Sequence, residues 1–217
     1  DAIRSRGLGD VYKRQGVILD DGSKIMSNKV ISNLNPKLLF SNLVNHDDVD
    51  KEYLRKILNY KCGSGTFRMN VALSELPNFN CLPGKEIAEH HKSGIIIAPT
   101  LTYMDEAFTD AKKHGWSKNP IVEMLIPSTV DQSLAPEGKH VASLFCQQFA
   151  PKLPMNKSWH DEKTNAAQII IDTVNKYAPN FKKSIIGSSI LSPLDLEEKL
   201  GLLGGDIMHG VMTLDQM

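Results

Sequence analysis

Between Thr66 and Leu73 the side chains alternate without interruption. Phe67, Met69, Val71 and Leu73 fall to one side, and Thr66, Arg68, Asn70 and Ala72 to the other. A period of two places successive side chains on opposite faces of a strand. This is a strand with two different faces, one apolar and one polar. Further along, Ala166, Ile170, Val174 and Tyr177 repeat at helical spacing behind a capping Ser158 and make the buried stripe of a long helix. Asp161 stands three residues after Ser158, in place of the Glu or Gln usual in a capping box. The class this predicts is α+β, a mixed sheet with flanking helices.

The remaining elements fit that class. Gly16 to Asp20 and Ser23 to Met26 read as a hairpin turning at Asp21-Gly22, and Val30-Ile31 as a third strand. Ser32-Asn33-Leu34-Asn35-Pro36 joins a capping Asn to a Pro at a helix start, predicting helices over 36–44 and 48–60. Gly63 and Gly65 read as turn glycines. Ile95 to Ala98 reads as a central strand, Tyr103 to His114 as a helix, and Ile121 to Ile126, His140 to Phe149 and Lys183 to Leu191 as further strands. Ser192 as cap, Pro193 at the first helical position and Gly201 past the end bracket a last helix.

Several functions are disfavoured by composition. Lys+Arg and Asp+Glu both number 25, so no excess charge draws the chain to a nucleic acid. The aliphatic stretch at Ile95 to Ala98 is far short of the roughly 20 residues of a membrane-spanning helix. Cys62, Cys81 and Cys146 form no CxxC, which fits a reducing compartment and neither a disulfide framework nor a zinc knuckle. There is no HExxH and no GxSxG, so a zinc or serine hydrolase has no support.

The opening DAIRSRGLGDVYKRQ has no amphipathic period and no apolar signal region. Ser5 to Gln15 back-translates into the adapter attached to DNA fragments in tagmentation libraries, and the expectation is that residues 1–15 are a disordered artefact. A flexible basic leader is the alternative. On the first reading, Gly16 is an arbitrary break and the natural protein continues upstream.

The run GVILDDGSKIMSNKVISNLNPKLLFSNLV resembles the segment of phytoene-desaturase-like flavoproteins in which a hairpin of the FAD domain returns into the substrate domain. CGSGTFRMNVALSELPNF, FCQQFAPKLP, IIDTVNKYAPNF and SPLDLEEKLGLLGGDIMHGVMTLDQM resemble, in order and spacing, the subgroup called pyridine nucleotide-disulfide oxidoreductase domain-containing protein 2. This resemblance implies an FAD-dependent oxidoreductase. Residues 16–35 would be the edge of the FAD domain, 36–205 the substrate domain, and 206–217 the return towards the flavin. The family's GxGxxG pyrophosphate grip and its C-terminal glycine-rich segment would lie outside this stretch. A small apolar organic substrate is implied, with a peripheral membrane contact as an option for the whole protein. The expected compartment is cytoplasmic for a bacterial member and mitochondrial for a eukaryotic one. The rival reading is a non-catalytic α+β module that binds an apolar ligand or a protein partner.

The candidate residues each carry two readings. His209 is a candidate catalytic group that orients substrate or accepts a proton, or else it ties down a Gly-rich turn together with Asp206. Arg68 and Asn70, on the polar face of their strand, hold a substrate carboxylate or amide, or are simply solvated. Asp206 joins them as a candidate substrate-binding residue. Ser32 and Asn33 approach the FAD, or cap the helix that follows. His90 and His91 point to opposite sides of an extended segment and have no ligand-spaced acid, so no metal is expected. Cys146 reads as a core residue, and Met69, Met124 and Met208 as core fillers or the border of an apolar channel.

Overall fold

The computed structural model describes residues 6–7, 16–63 and 65–216. Two compact units divide the chain, one made of residues 1–63 and 208–217 and the other of 64–207.

In the first unit, β1 (Arg6–Gly7), β2 (Gly16–Ile18) and β3 (Lys24–Met26) form an antiparallel three-stranded sheet. The expectation for the rest of the first fifteen residues lies outside the described residues. The hairpin turn differs from the expected two-residue form. Gly22 N donates to Leu19 O at 3.0 Å and Leu19 N to Ser23 O at 2.9 Å, with Gly22 at φ +81. This is a three-residue loop in which the glycine supplies the left-handed bulge position. Val30-Ile31 forms no strand, and Ile31 is 97% exposed. The strand beside β2 opposite to β3 is β1 instead. Two helices follow, α1 (Pro36–Asn42) and α2 (Lys51–Leu58), joined through a 3-10 turn at His46–Asp48. Phe40 and Tyr53 meet edge to face across them, ring centroids 5.4 Å apart.

The second unit is built on β4 (Thr66–Leu73), β5 (Ile95–Ile97), β6 (Trp116–Leu125), β7 (His140–Phe149) and β8 (Ile185–Leu191), in the order β5-β6-β7-β4-β8. Every pairing is antiparallel. The apolar face of β4 is buried as its alternation requires, with Phe67, Met69, Val71 and Leu73 all in the core. The cover is α4 (Trp159–Tyr177), whose Ala166, Ile170 and Val174 join the same cluster. At its start Ser158 Oγ accepts from His160 N. The Ser-x-x-Asp box is formed elsewhere, at Ser192 and Asp195 before α6 (Pro193–Leu200), which ends on Gly201 at φ +69. A short helix α5 (Phe181–Ser184) precedes β8.

Two strands depart from expectation. The run of isoleucines in β5 reads as buried on both faces, yet β5 is an edge strand and Ile96 is 66% exposed. β6 begins earlier than expected and contains Pro120, which a regular ladder excludes. Its register with β7 breaks between Trp116 and Ile121, so Pro120 sits in the irregular stretch. There its carbonyl accepts from Tyr103 Oη at 2.9 Å. Tyr103 lies on α3 (Leu101–His114), and burial raises its hydroxyl pKa to about 12.

Candidate functional site

The register that buries one face of β4 also aligns the residues of the other. Arg68 stands opposite Phe145 on β7 and Leu191 on β8, while Asn70 stands opposite Ser143 and Ser189. Beyond β7, Phe145 pairs with Glu123 and Ser143 with Leu125. Directly opposed residues share a face, so these side chains form two adjacent rows on the side of the sheet away from α4. Asn70, Leu125 and Ser189 are exposed, and Arg68, Glu123, Ser143, Phe145 and Leu191 are half-buried.

Arg68 is held from two directions. Its Nη2 donates to Ser143 Oγ at 2.9 Å, and its guanidinium lies 5.5 Å from the centre of the Phe145 ring. Ser143 and Phe145 are alternate residues of β7, so one strand supplies both restraints. The same period-two reading applied to His140–Phe149 would have identified this face, with Ser143 and Phe145 outward and Ala142, Leu144 and Cys146 buried. What the sequence does not display is the register that brings β7 to Arg68. Cys146 is a core residue. Burial pushes its thiol well above the usual range, opposed in part by the Arg68 charge, so it is not a thiolate nucleophile.

Asp206 is not on this face. It is buried at the end of a 3-10 turn, Leu203–Gly205, where its N–H donates to Leu203 O at 3.2 Å. Gly205, at φ +64, passes so close to the Pro193 backbone that a Cβ there would lie 2.5 Å from its carbonyl oxygen.

In the first unit, Ser32 and Asn33 are exposed ahead of α1. The capping role belongs to Asn35, whose Oδ1 accepts from Lys37 N at 2.9 Å. Ser32 Oγ accepts the local Leu34 N–H at 3.3 Å. Asn35 is buried, and its Nδ2 lies 3.3 Å from both Cys62 Sγ and the carbonyl oxygen of His209. His209 has a left-handed backbone, φ +61, and its ring Nδ1 is buried without a hydrogen-bond partner among the described residues. Gly210 packs against the Tyr60 ring so tightly that a Cβ would overlap it.

The histidine pair is arranged otherwise than an extended segment would have it. Glu89–Lys92 is a 3-10 turn, and the His90 and His91 rings lie 3.9 Å apart. His91 Nδ1 accepts from Ala88 N at 3.1 Å and its Nε2 lies 3.0 Å from Pro77 O, an arrangement in which both ring nitrogens serve the backbone. Met69 and Met124 are core residues, whereas Met208 is exposed. Among the described residues, no group of three His, Cys, Asp or Glu side chains is placed to hold a metal ion. Nor is any helix among them long and apolar enough to cross a membrane.

No protein-family model matches the chain. It is 38% identical over 208 residues, 94% of its length, to pyridine nucleotide-disulfide oxidoreductase domain-containing protein 2 of Rattus norvegicus. The protein of the same name from Mus musculus is 36% identical over 210 residues. In each case the chain spans 36% of the relative's length. A solved structure, an oxidoreductase from Methanosarcina mazei, is similar with a TM-score of 0.55 at 16% identity, covering 87% of this chain and 36% of that one. The likeness to the curated relatives is the one the motifs carry, and the α+β fold is shared with an oxidoreductase.

Proposed function

We propose that this chain is the substrate-binding part, with one edge of the FAD domain, of an FAD-dependent, phytoene-dehydrogenase-like oxidoreductase acting on an apolar organic substrate. The observation that carries the proposal is a sheet covered by α4 on one face whose other face is exposed around Asn70, Ser189 and Leu125 and holds a fixed cation among apolar and hydroxyl side chains. Such a face can orient a substrate through its fixed cation and hydroxyl groups.

The described residues do not form a complete flavin grip. Ser32 and Asn33 are exposed beside α1, and no glycine-rich strand-turn-helix is present among the described residues to take a pyrophosphate. When bound to the whole protein, the flavin supplies the hydride acceptor. The part of this chain is to position substrate through Arg68 and Asn70. His209, with its buried free Nδ1, is the candidate for taking up a proton. The exposed apolar side chains Ile25, Met26, Val30 and Ile31 support the assignment of 16–35 to the edge of a larger domain, which would bury them.

The test compares the full-length protein with the 217-residue chain. The full-length protein is expected to elute from gel filtration with stoichiometric FAD, and the chain alone to elute colourless. In the full-length protein, His209→Ala should slow anaerobic flavin reduction about a hundredfold or more. A full-length protein without flavin would leave the binding-module reading in its place, and unchanged reduction would remove His209 from the mechanism.

A further inference from the structure

We propose that the open face of the second unit's sheet anchors a carboxylate, so that the substrate is an amphiphile with an acid group at one end and an apolar body. The proposal rests on the substrate-domain reading and narrows it. It starts from Arg68, which forms no ion pair among the described residues although it is half-buried. A guanidinium left without a counter-charge there, yet fixed by Ser143 and by the Phe145 ring, is preorganised for a ligand. Only one of its five N–H groups is spent on Ser143. Ser143 Oγ accepts that bond, which leaves its own O–H free to donate to the same incoming anion. Asn70, two residues along and facing Ser143 across the ladder, places an amide roughly 7 Å further on.

The surroundings decide which anion suits the site. Glu123 shares the row of Arg68 with Phe145 between them, which puts its backbone about 10 Å away at ordinary strand spacing. A single guanidinium neutralises a monoanion, whereas a phosphate dianion would keep an uncompensated charge beside Phe145 and Leu191, with Glu123 offering it no partner. A planar carboxylate also matches the guanidinium fork with two parallel hydrogen bonds. The body of the ligand is set by Phe145 and Leu191, which flank the cation with apolar surface, and by Leu125, further along in the neighbouring row beyond Ser143.

The experiment uses the 217-residue chain without flavin, so its outcome is separate from that of the flavin reading. Affinities are measured by displacement of a fluorescent fatty-acid probe for laurate, its neutral methyl ester and dodecyl phosphate, all below their critical micelle concentrations. Laurate is expected to bind about tenfold or more tighter than methyl laurate. Arg68→Met, which keeps the aliphatic stem, should abolish that preference while changing methyl laurate binding less than about twofold. Arg68→Lys and Ser143→Ala should each retain part of it, the first because it keeps the charge and loses the fork. Circular dichroism and thermal midpoints establish folding. If Arg68→Met does not fold, a reduced laurate preference in both other variants supports the proposal and an unreduced one overturns it. Equal binding of laurate and its ester by the unaltered chain, or tighter binding of dodecyl phosphate, also overturns it.

Discussion

Several interactions converge on the Asp195 carboxylate. It accepts from Ser192 N at 3.0 Å and Ser192 Oγ at 2.7 Å, and pairs with Lys163 and Lys199, each at 3.2 Å. Burial raises its pKa, but the Ser192 donors and the two lysines outweigh burial and hold the carboxyl well below the usual range. With the folded-state value below the unfolded one, near 3.9, the stabilisation is complete above about pH 4 and is lost as pH falls through the folded-state value. Asp195→Asn should therefore cost about 1–2 kcal/mol at pH 7 and flatten the acid side of the thermal midpoint against pH. Equal midpoints of the two proteins at pH 7 would show that the box contributes nothing. The bounds of α6 are legible in Ser192, Pro193 and Gly201, because cap signals are local, but the sequence predicts a capping box at Ser158 and Asp161 and not at Ser192 and Asp195. The setting of Arg68 is not legible at all. Ser143 lies 75 residues away, and only strand register brings it within hydrogen-bond reach.

The elements that periodicity foretold are those whose burial is one-sided and long. The stripe Ala166, Ile170 and Val174 recurs every turn of α4 and is buried at each position. Ile170→Ala should lower stability by about 2–5 kcal/mol, while Gln168→Ala, on the exposed side of the same helix, should stay within about 0.5 kcal/mol. Chemical denaturation of both variants checks this, and similar losses would mean that α4 is not held by that stripe. Short apolar runs carry less information. Val30-Ile31 looks like a strand, but a strand exists only if another pairs with it, and β3 ends at Met26 without a continuation. The Ile95 to Ile97 run has the look of a two-sided strand because composition reports apolarity and not position in the sheet. Its place at the edge follows from pairing with β6 alone. At Glu89–Lys92 the local turn is 3-10, which brings two neighbouring histidines from divergent into contact, their rings tilted by 42°.

Burial is divided unequally between the two units. Among the described residues, every buried hydrophobic side chain lies between Phe67 and Leu196, in the second unit. The first unit is held instead by polar and local contacts. Asn35 caps α1, and Gln216 bonds to the backbone of Lys61 and Val211. Lys61 Nζ also pairs with Asp215 at 2.6 Å. Contacts of this kind at the surface contribute about 0–1 kcal/mol each, against about 1.5–3 kcal/mol for a buried aliphatic side chain. Local opening should thus cost far less in the first unit than in the second. Hydrogen exchange read by mass spectrometry on the 217-residue chain should find β4, β6, β7 and α4 protected longest, and 16–63 and 208–216 exchanging orders of magnitude faster. If the full-length protein supplies a domain that covers Ile25, Met26 and Ile31, the first unit alone should gain protection there, because the second already has its core. Equal protection of both units in the short chain would contradict this ordering.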